Sequence, residues 1–439
     1  MRPSSTKPRR ASVYVLVLAT AAIATAAGLG GILVQRTRLR AASTNADIDA
    51  ARLAAASGLE YALARIDADP NWRTTLGAGS WLDAAPLGNA TLRVNCIDPA
   101  SLAKAAPPGQ SHGLSAQGMQ LAQSGSTPLD DSDPTSPIIL QSIGEAGDAC
   151  QVFEACIEFD RFPMGVLNCA AYAGVFAYTE LTTLTANAPV HSAGSMNALV
   201  ANVNADAEAV GSITGLTYAR ASNSSATPRT APGTDLVATW AALGTTIPSG
   251  VYPANTIQRG VLARGVAFGS YTNTTSDVFV INAAGATITI QNVRVYGTLV
   301  ILNAASVVVA SSVRFDPVTP GYPSLIVQGP IRMQVSTTAL SESTNNTNYN
   351  PTGAPYAGVT DNDKADTYAS GFSGIVFATD DITIENNLTM TGTLVTLDTL
   401  TVRKPLTITH DPNVLTAAAP GFYTIIPRLA DAGVERVSR

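Results

Sequence analysis

Gly297-Thr-Leu-Val-Ile-Leu302 and Gly392-Thr-Leu-Val-Thr-Leu397 are near copies of one another, 95 residues apart. Phe279-Val-Ile-Asn282, Leu325-Ile-Val-Gln328 and Ile375-Val-Phe-Ala378 read as the same strand returning, and the first two and last two runs of the series lie about 20 residues apart. Each interval holds two more short apolar runs, Thr287-Ile-Thr-Ile290 and Val293-Arg-Val295 early, Asp381-Ile-Thr-Ile384 and Leu388-Thr-Met390 later. Three short strands per repeat of this length predict parallel stacking in a solenoid, with inward aliphatics forming ladders. Asn282, Asn292, Asn303, Asn386 and Asp398 occupy the intervening corners, where Asn and Asp tolerate tight turns. A sandwich needs hairpins between neighbouring runs, and two-residue Asn-Gly or Asp-Gly turns are missing here.

The predicted body is therefore a right-handed parallel β-helix over residues 166–426. Residues 217–248 and 336–371 are rich in turn formers and read as inserted loops, and Val190, Met196, Leu199, Val203, Ala207, Val210 and Ile213 mark weaker repeats between. Residues 427–439 are expected to be a tail. Residues 69–165 read as a small β-rich head with a mobile loop at 105–134, because Gly88 to Cys96, Pro137 to Ser142 and Cys150 to Phe159 alternate apolar and polar residues. Trp72 and Trp81 are expected to pack over that head's small core.

The N-terminus has a different character. Residues 1–10 carry Arg2, Lys7, Arg9 and Arg10 without an acid, and residues 11–34 run uncharged as ASVYVLVLATAAIATAAGLGGILV. That length spans a bilayer, with Ala11, Val15, Leu18, Ile23, Leu29, Ile32 and Val34 as anchor residues. Ala22, Ala26, Gly28, Gly30 and Gly31 are small enough for close helix packing. The short basic tail places the N-terminus in the cytoplasm and exports the body. A secretory signal peptide is the rival reading, with Ala24 and Ala26 as its cleavage residues. Past the apolar run, Leu39, Ala42, Ala46, Leu53, Ala56, Leu59, Leu63 and Ile66 recur mostly every third or fourth residue with no proline before Pro70. Residues 35–68 thus extend the helix as an amphipathic segment.

The leader, the apolar helix and the end Ala54-Ala-Ala-Ser-Gly-Leu-Glu-Tyr-Ala-Leu-Ala64 resemble the N-terminal region of PilX-type pilus-assembly proteins and minor pilins, over about the first seventy residues. The arrangement of helix, head and solenoid also resembles pilus-assembly proteins of planctomycete type. The resemblance implies a long transmembrane helix, a small α+β pilin-like head and partners among other pilin-like or envelope subunits. It departs from type IV prepilins in offering Ala11 where a glycine precedes processing, and no glutamate inside the apolar run.

Chemistry is sparse. The chain has 439 residues, only 13% charged, with a net charge of -6, three histidines and four cysteines. No basic patch follows the first forty residues, so nucleic acid is not an expected partner. Cys96, Cys150, Cys156 and Cys169 fit no zinc or redox spacing and are candidate disulfide partners, with three pairings open. Asp380 and Asp381, with Arg403 and Lys404 a repeat later, are the nearest to a catalytic group. Neighbours on a strand face opposite ways, however, so the two aspartates read as a turn. Asp361, Asp363 and Asp366 offer carboxylates for calcium without the glycine and final glutamate of an EF-hand loop. The expectation is a non-enzymatic, membrane-anchored envelope protein with no cofactor or metal, its body serving scaffolding or adhesion. The alternative is a secreted or surface polysaccharide-binding protein or depolymerase.

Overall fold

A computed structural model describes residues 10–69, 72–97, 136–180, 182–218, 220–417 and 419–437. The loop expected at 105–134 and the basic tail through residue 9 lie outside the described residues. The chain divides into two compact units, residues 1–160 with 425–439, and residues 161–424. The second is inserted between two strands of the first.

The first unit is built on a helix of 59 residues, α1 (Arg10–Ala68), which is long and apolar enough in its first half to cross a bilayer. A signal sequence has the same character. All described side chains from 13 to 46 are exposed. The C-terminal half lies on an antiparallel sheet of five strands, β1 (Gly79–Leu87), β2 (Ala90–Ile97), β3 (Ile138–Ala146), β4 (Ala149–Pro163) and the C-terminal strand Tyr423–Val437. The segment expected as a tail from 427 is therefore the edge of a sheet. Two-residue turns, Gly88-Asn89 and Gly147-Asp148, close the two hairpins; both glycines have positive φ, as tight hairpin turns require.

The buried stripe of α1 is Ala51, Ala54, Ala55, Leu59, Ala62 and Ile66, the spacing of one helix face. This corrects the expected stripe, since Leu39 and Leu53 are 67% and 68% exposed. The reason is the distance of approach. A Cβ on Gly144 of β3 would stand 2.0 Å from the Ala51 carbonyl oxygen, and one on Gly58 of α1 would stand 2.0 Å from Ser142 Oγ. Backbone meets backbone there, so alanines rather than leucines face the sheet. Beyond Ile66 the core widens to Leu92, Val94, Leu140, Ile157 and Trp72. Trp72 stacks on Phe159 at 5.5 Å and meets Trp81 edge-on at 5.8 Å.

The second unit carries a sheet of 21 strands. Its strands pair in parallel, and the pairings fall into three lanes. One lane aligns Phe279, Leu299, Leu325, Val376, Leu394, Ala171, Val190 and Ala207 as successive rungs. A second aligns Ile257, Ile290, Val309, Met333, Ile384, Val402 and Tyr178. The third aligns Leu262, Val295, Phe315, Phe372, Met390, Ile408 and Ala186. The chain passes through the lanes in this order and returns to the first a rung later. The five runs expected to be one recurring strand all lie in the first lane.

Rung order departs from chain order. The repeats starting at Ala171 stack after the last one in sequence, Leu394 pairing with Ala171 and Leu406 with Leu184. The chain then crosses back to begin the far end at Thr245. The crossing passes through the stretch expected as a loop at 217–248, which contains strand Ser222–Ser224 and helix Leu236–Ala242. That helix covers the outer surface of the first lane, packing Leu236, Val237 and Trp240 on Val278, Val280, Val300 and Ile326. First-lane strands are thus buried on both faces, which explains their unbroken apolar runs. The insertion expected at 336–371 has its own small core of Leu340, Tyr349, Ala354 and Tyr368.

Candidate functional site

The cysteines form no disulfide. In the head sheet Cys96 aligns through Leu140 with Ala155, so it and Cys156 stand two strands apart on opposite faces. Cys150 and Cys156 share a strand six residues apart. These separations exceed disulfide reach, which removes the candidate pairings among these three. Cys169 belongs to the second unit and is fully buried, its thiol pushed up to about 12 by burial against the opposing charge of Arg229.

Sequence alone missed the cluster beside that thiol. His191, fully buried and stacked on Tyr172 at 5.8 Å, places Nδ1 3.1 Å from Glu208 Oε2. Arg229 donates to the same oxygen from Nε at 3.1 Å and Nη2 at 2.7 Å. Burial holds the imidazole below its usual range, outweighing Glu208. Burial alone would raise the Glu208 carboxyl, but the hydrogen bonds from Arg229 and His191 take it below its usual range. Cys169 and His191 are buried while Glu208 and Arg229 are half-buried at the surface, and the group forms a polar clamp across neighbouring rungs.

Both depressed groups bind fewer protons folded than unfolded, so stability rises with pH where either titrates. The His191 contribution is complete above the unfolded imidazole value of about 6.5 and is lost as pH falls from there towards the lower folded value. The melting temperature is expected to fall on acidification from about pH 7 to about pH 5, and His191→Gln to flatten that slope. Equal slopes in the two proteins would refute the assignment.

The structure gathers two acidic groups. Asp380 and Asp381 lie in a corner rather than along a strand, and their carboxylates come within 4.8 Å of each other and of Asp398. The expected turn is present, and within it the two carboxylates share one side instead of facing apart. All three are exposed; Asp381 accepts from the Thr399 amide at 3.1 Å, and Asp380 takes the Thr396 hydroxyl on its carbonyl. Lys404 is ion-paired with Glu180 at 2.7 Å. In the insertion, Glu342, Asp361 and Asp363 also converge within 4.8 Å.

A cleft of about 370 Å³ opens beside helix Leu236–Ala242, lined by Trp240, Tyr322, Arg264 and Asp277 among others. Its carboxylate, Asp277, is paired with Arg264 at 3.4 Å, so the cleft does not present the two opposed carboxylates of glycoside hydrolysis. The third lane offers instead a regular outer surface. Thr389, Thr407, Thr185 and Asn204 form one outward ladder, Thr183, Asn202 and Thr217 a second, and Thr391 faces Thr409. These side chains are exposed or half-exposed, and rungs repeat about every 4.8 Å.

No family model matches this chain, and no curated protein matches it. Among solved structures it is similar to the competence-associated pilin ComZ from Thermus thermophilus, at TM-score 0.27 and 10% identity, over 88% of this chain and 98% of that one. It is also similar to an ice binding protein from an Antarctic Biological Consortium, at TM-score 0.29 and 11% identity, over 56% and 91%. An ice-binding protein from the Antarctic ascomycete Antarctomyces psychrotrophicus aligns at TM-score 0.27 and 12% identity, over 56% and 95%. Likenesses this distant carry no functional argument.

Proposed function

We propose that this chain is a non-enzymatic envelope protein of the pilus-assembly or minor-pilin type, anchored by α1 with its N-terminus in the cytoplasm. The observation that supports this reading is the division of one helix into two halves, the first bare and apolar, the second seated by an alanine stripe on an antiparallel sheet. A soluble protein has no use for such a length of exposed Val, Leu and Ile. The anchor is assigned to Val15, Leu18, Ile23, Leu29, Ile32 and Val34, with Ala22, Ala26, Gly28, Gly30 and Gly31 opening a surface to partner helices; a Cβ on any of these glycines would meet nothing within 4 Å. Exposed Leu39 and Leu53 continue that surface beyond the bilayer for other envelope subunits.

In this reading the three lanes close as a right-handed parallel β-helix, the hand that parallel crossovers favour. The body is a rigid scaffold or adhesin, and the threonine ladders of its third lane are its contact surface. Hydroxyls at a fixed repeat suit a polymer with its own repeat, which keeps a surface polysaccharide as the ligand class. Placing arginine in the apolar segment tests the anchor. Each costs about 2.5–3.5 kcal/mol near a bilayer centre, so Leu18→Arg/Ile23→Arg is expected to move the protein from the membrane pellet to the alkaline-wash supernatant. Retention of the double variant in the washed pellet would sink the proposal.

A further inference from the structure

The cleft beside helix Leu236–Ala242 is assembled from distant parts of the second unit. The crossing helix supplies Trp240, the turn after Asn273 supplies Asp277, and the loop before strand Pro323–Val327 supplies Thr319 and Tyr322. Arg264 reaches Asp277 at the rim. These walls are fixed from behind. Asn273, 1% exposed, accepts the amides of Thr275 and Ser276 on Oδ1 at 3.1 Å each and donates Nδ2 to the Val278 carbonyl at 3.2 Å. The Ser276 hydroxyl donates to the Leu243 carbonyl at 2.7 Å, tying that turn to the end of the crossing helix. Tyr322 donates its amide to the Thr319 carbonyl at 3.1 Å, and its ring is steadied edge-on by Trp240. A site supported in this way keeps its shape without a ligand.

The groups behind the walls satisfy one another, whereas those lining the opening do not. Among the described residues, the side chains of Arg264 and Asp277 have only each other, and the hydroxyls of Thr319 and Tyr322 bond no protein group. The Arg264 contact is a single one through Nε at 3.4 Å, which leaves further donors on the guanidinium and acceptor sites on the carboxylate.

Charge then selects the ligand. Arg264 and Asp277 are the only charged side chains of the lining among the described residues, and they cancel. An anion is opposed by Asp277 and a cation by Arg264. A neutral molecule with neighbouring hydroxyls suits both, accepting from the guanidinium and donating to the carboxylate. The half-buried ring of Tyr322 adds a surface for an apolar ring face. Hydroxyls on the edge and an apolar face describe a pyranose. The cleft volume of about 370 Å³ sits at the small end of ligand sites, about 300–1,000 Å³, the size for a short segment rather than a folded chain.

We propose that this cleft is a sugar-binding site that holds a short neutral segment of a polysaccharide, without cleaving it. The proposal rests on the reading that the body meets a surface polysaccharide, and it assigns the chemical recognition to the cleft; the threonine ladders have no aromatic side chain in their rungs.

The test is calorimetric titration of the tetrasaccharides of cellulose, xylan, mannan, starch and chitin into the full chain, solubilised in a detergent without a sugar headgroup. At least one is expected to bind with a Kd of about 1 mM or tighter. Arg264→Ala removes an exposed side chain, and Thr319→Arg fills the opening from an exposed position. Each is expected to keep the wild-type melting temperature and to lose affinity by at least about tenfold, the scale of a hydrogen bond to a charged group. Thr407→Arg, exposed on a ladder, is expected to leave that affinity unchanged. No heat from any tetrasaccharide at about ten times that Kd would overturn the proposal, and so would wild-type affinity in either folded cleft variant. Loss of affinity in Thr407→Arg alone would put the sugar on the ladder, which ends the cleft proposal and keeps the polysaccharide reading. A wild-type chain that binds neither a tetrasaccharide nor the parent polymers ends both.

Discussion

Gly144→Val is expected to unseat α1 from its sheet. Position 144 is where β3 comes closest to the helix, and a side chain there has backbone on its far side, the Ala51 carbonyl oxygen at 2.0 Å and the Ala55 amide nitrogen at 2.7 Å from a Cβ. Backbone cannot swing aside as a lysine tip could. The helix must lift, exposing Ala51, Ala54 and Ala62 and opening a gap beside Leu59. Overpacking costs typically 1–3 kcal/mol and occasionally more, and here it strikes the one seam that joins helix to head. We expect a loss of about 3 kcal/mol or more, with amide exchange over residues 51–66 rising while the parallel body melts unchanged. Gly250→Ala, where a Cβ meets nothing within 4 Å, is the neutral control. A Gly144→Val protein with wild-type exchange in α1 would refute the close seam.

Trp240→Ala carries the second large effect. Trp240 is 1% exposed, donates Nε1 to the Pro420 carbonyl at 2.9 Å and meets Tyr322 edge-on at 5.7 Å. It holds the crossing helix against the outer surface of the first lane. Truncating a buried tryptophan costs about 3–5 kcal/mol, and the loss also bares the apolar outer side of Val278, Val280 and Val300. The denaturation midpoint of the body should drop accordingly, with increased binding of a hydrophobic dye. A change below about 1 kcal/mol, the scale of an ordinary surface substitution, would mean that the crossing helix is not needed to cover the lane.

The parallel repeat was legible because first-lane strands are buried on both faces: Leu299-Val-Ile and Leu325-Ile-Val have no polar residue to blur the recurrence. The covering helix follows from the same fact, yet nothing in residues 236–242 taken alone names the surface it meets. The rung order was not legible, because the pairing of Leu394 with Ala171 joins residues over two hundred positions apart and depends on the crossing between them. A local mark of the early repeats does exist, in Gly174, Gly194 and Gly211. Each amide of the later two bonds the carbonyl of the glycine a rung before at 2.7 Å, and a Cβ on either would press within 2.9 Å of that oxygen.

Along α1 the leucine spacing misled because hydrophobicity was weighed and size was not; the contact with β3 admits only small residues. The acids of the insertion were visible one at a time. Glu342, Asp361 and Asp363 converge only once the small core around Tyr349 and Tyr368 folds. His191, Glu208 and Arg229 converge in the same way, through two adjacent rungs and the chain that leaves them.

The account rests on α1 being retained as a membrane anchor that carries the head, and the most direct measurement is the N-terminus of the mature protein, determined by mass spectrometry on washed membrane fractions. An N-terminus at or before Ser12, on protein that stays with the membrane, is the predicted result. An N-terminus near Ala27, on protein recovered in solution outside the cell, would contradict it.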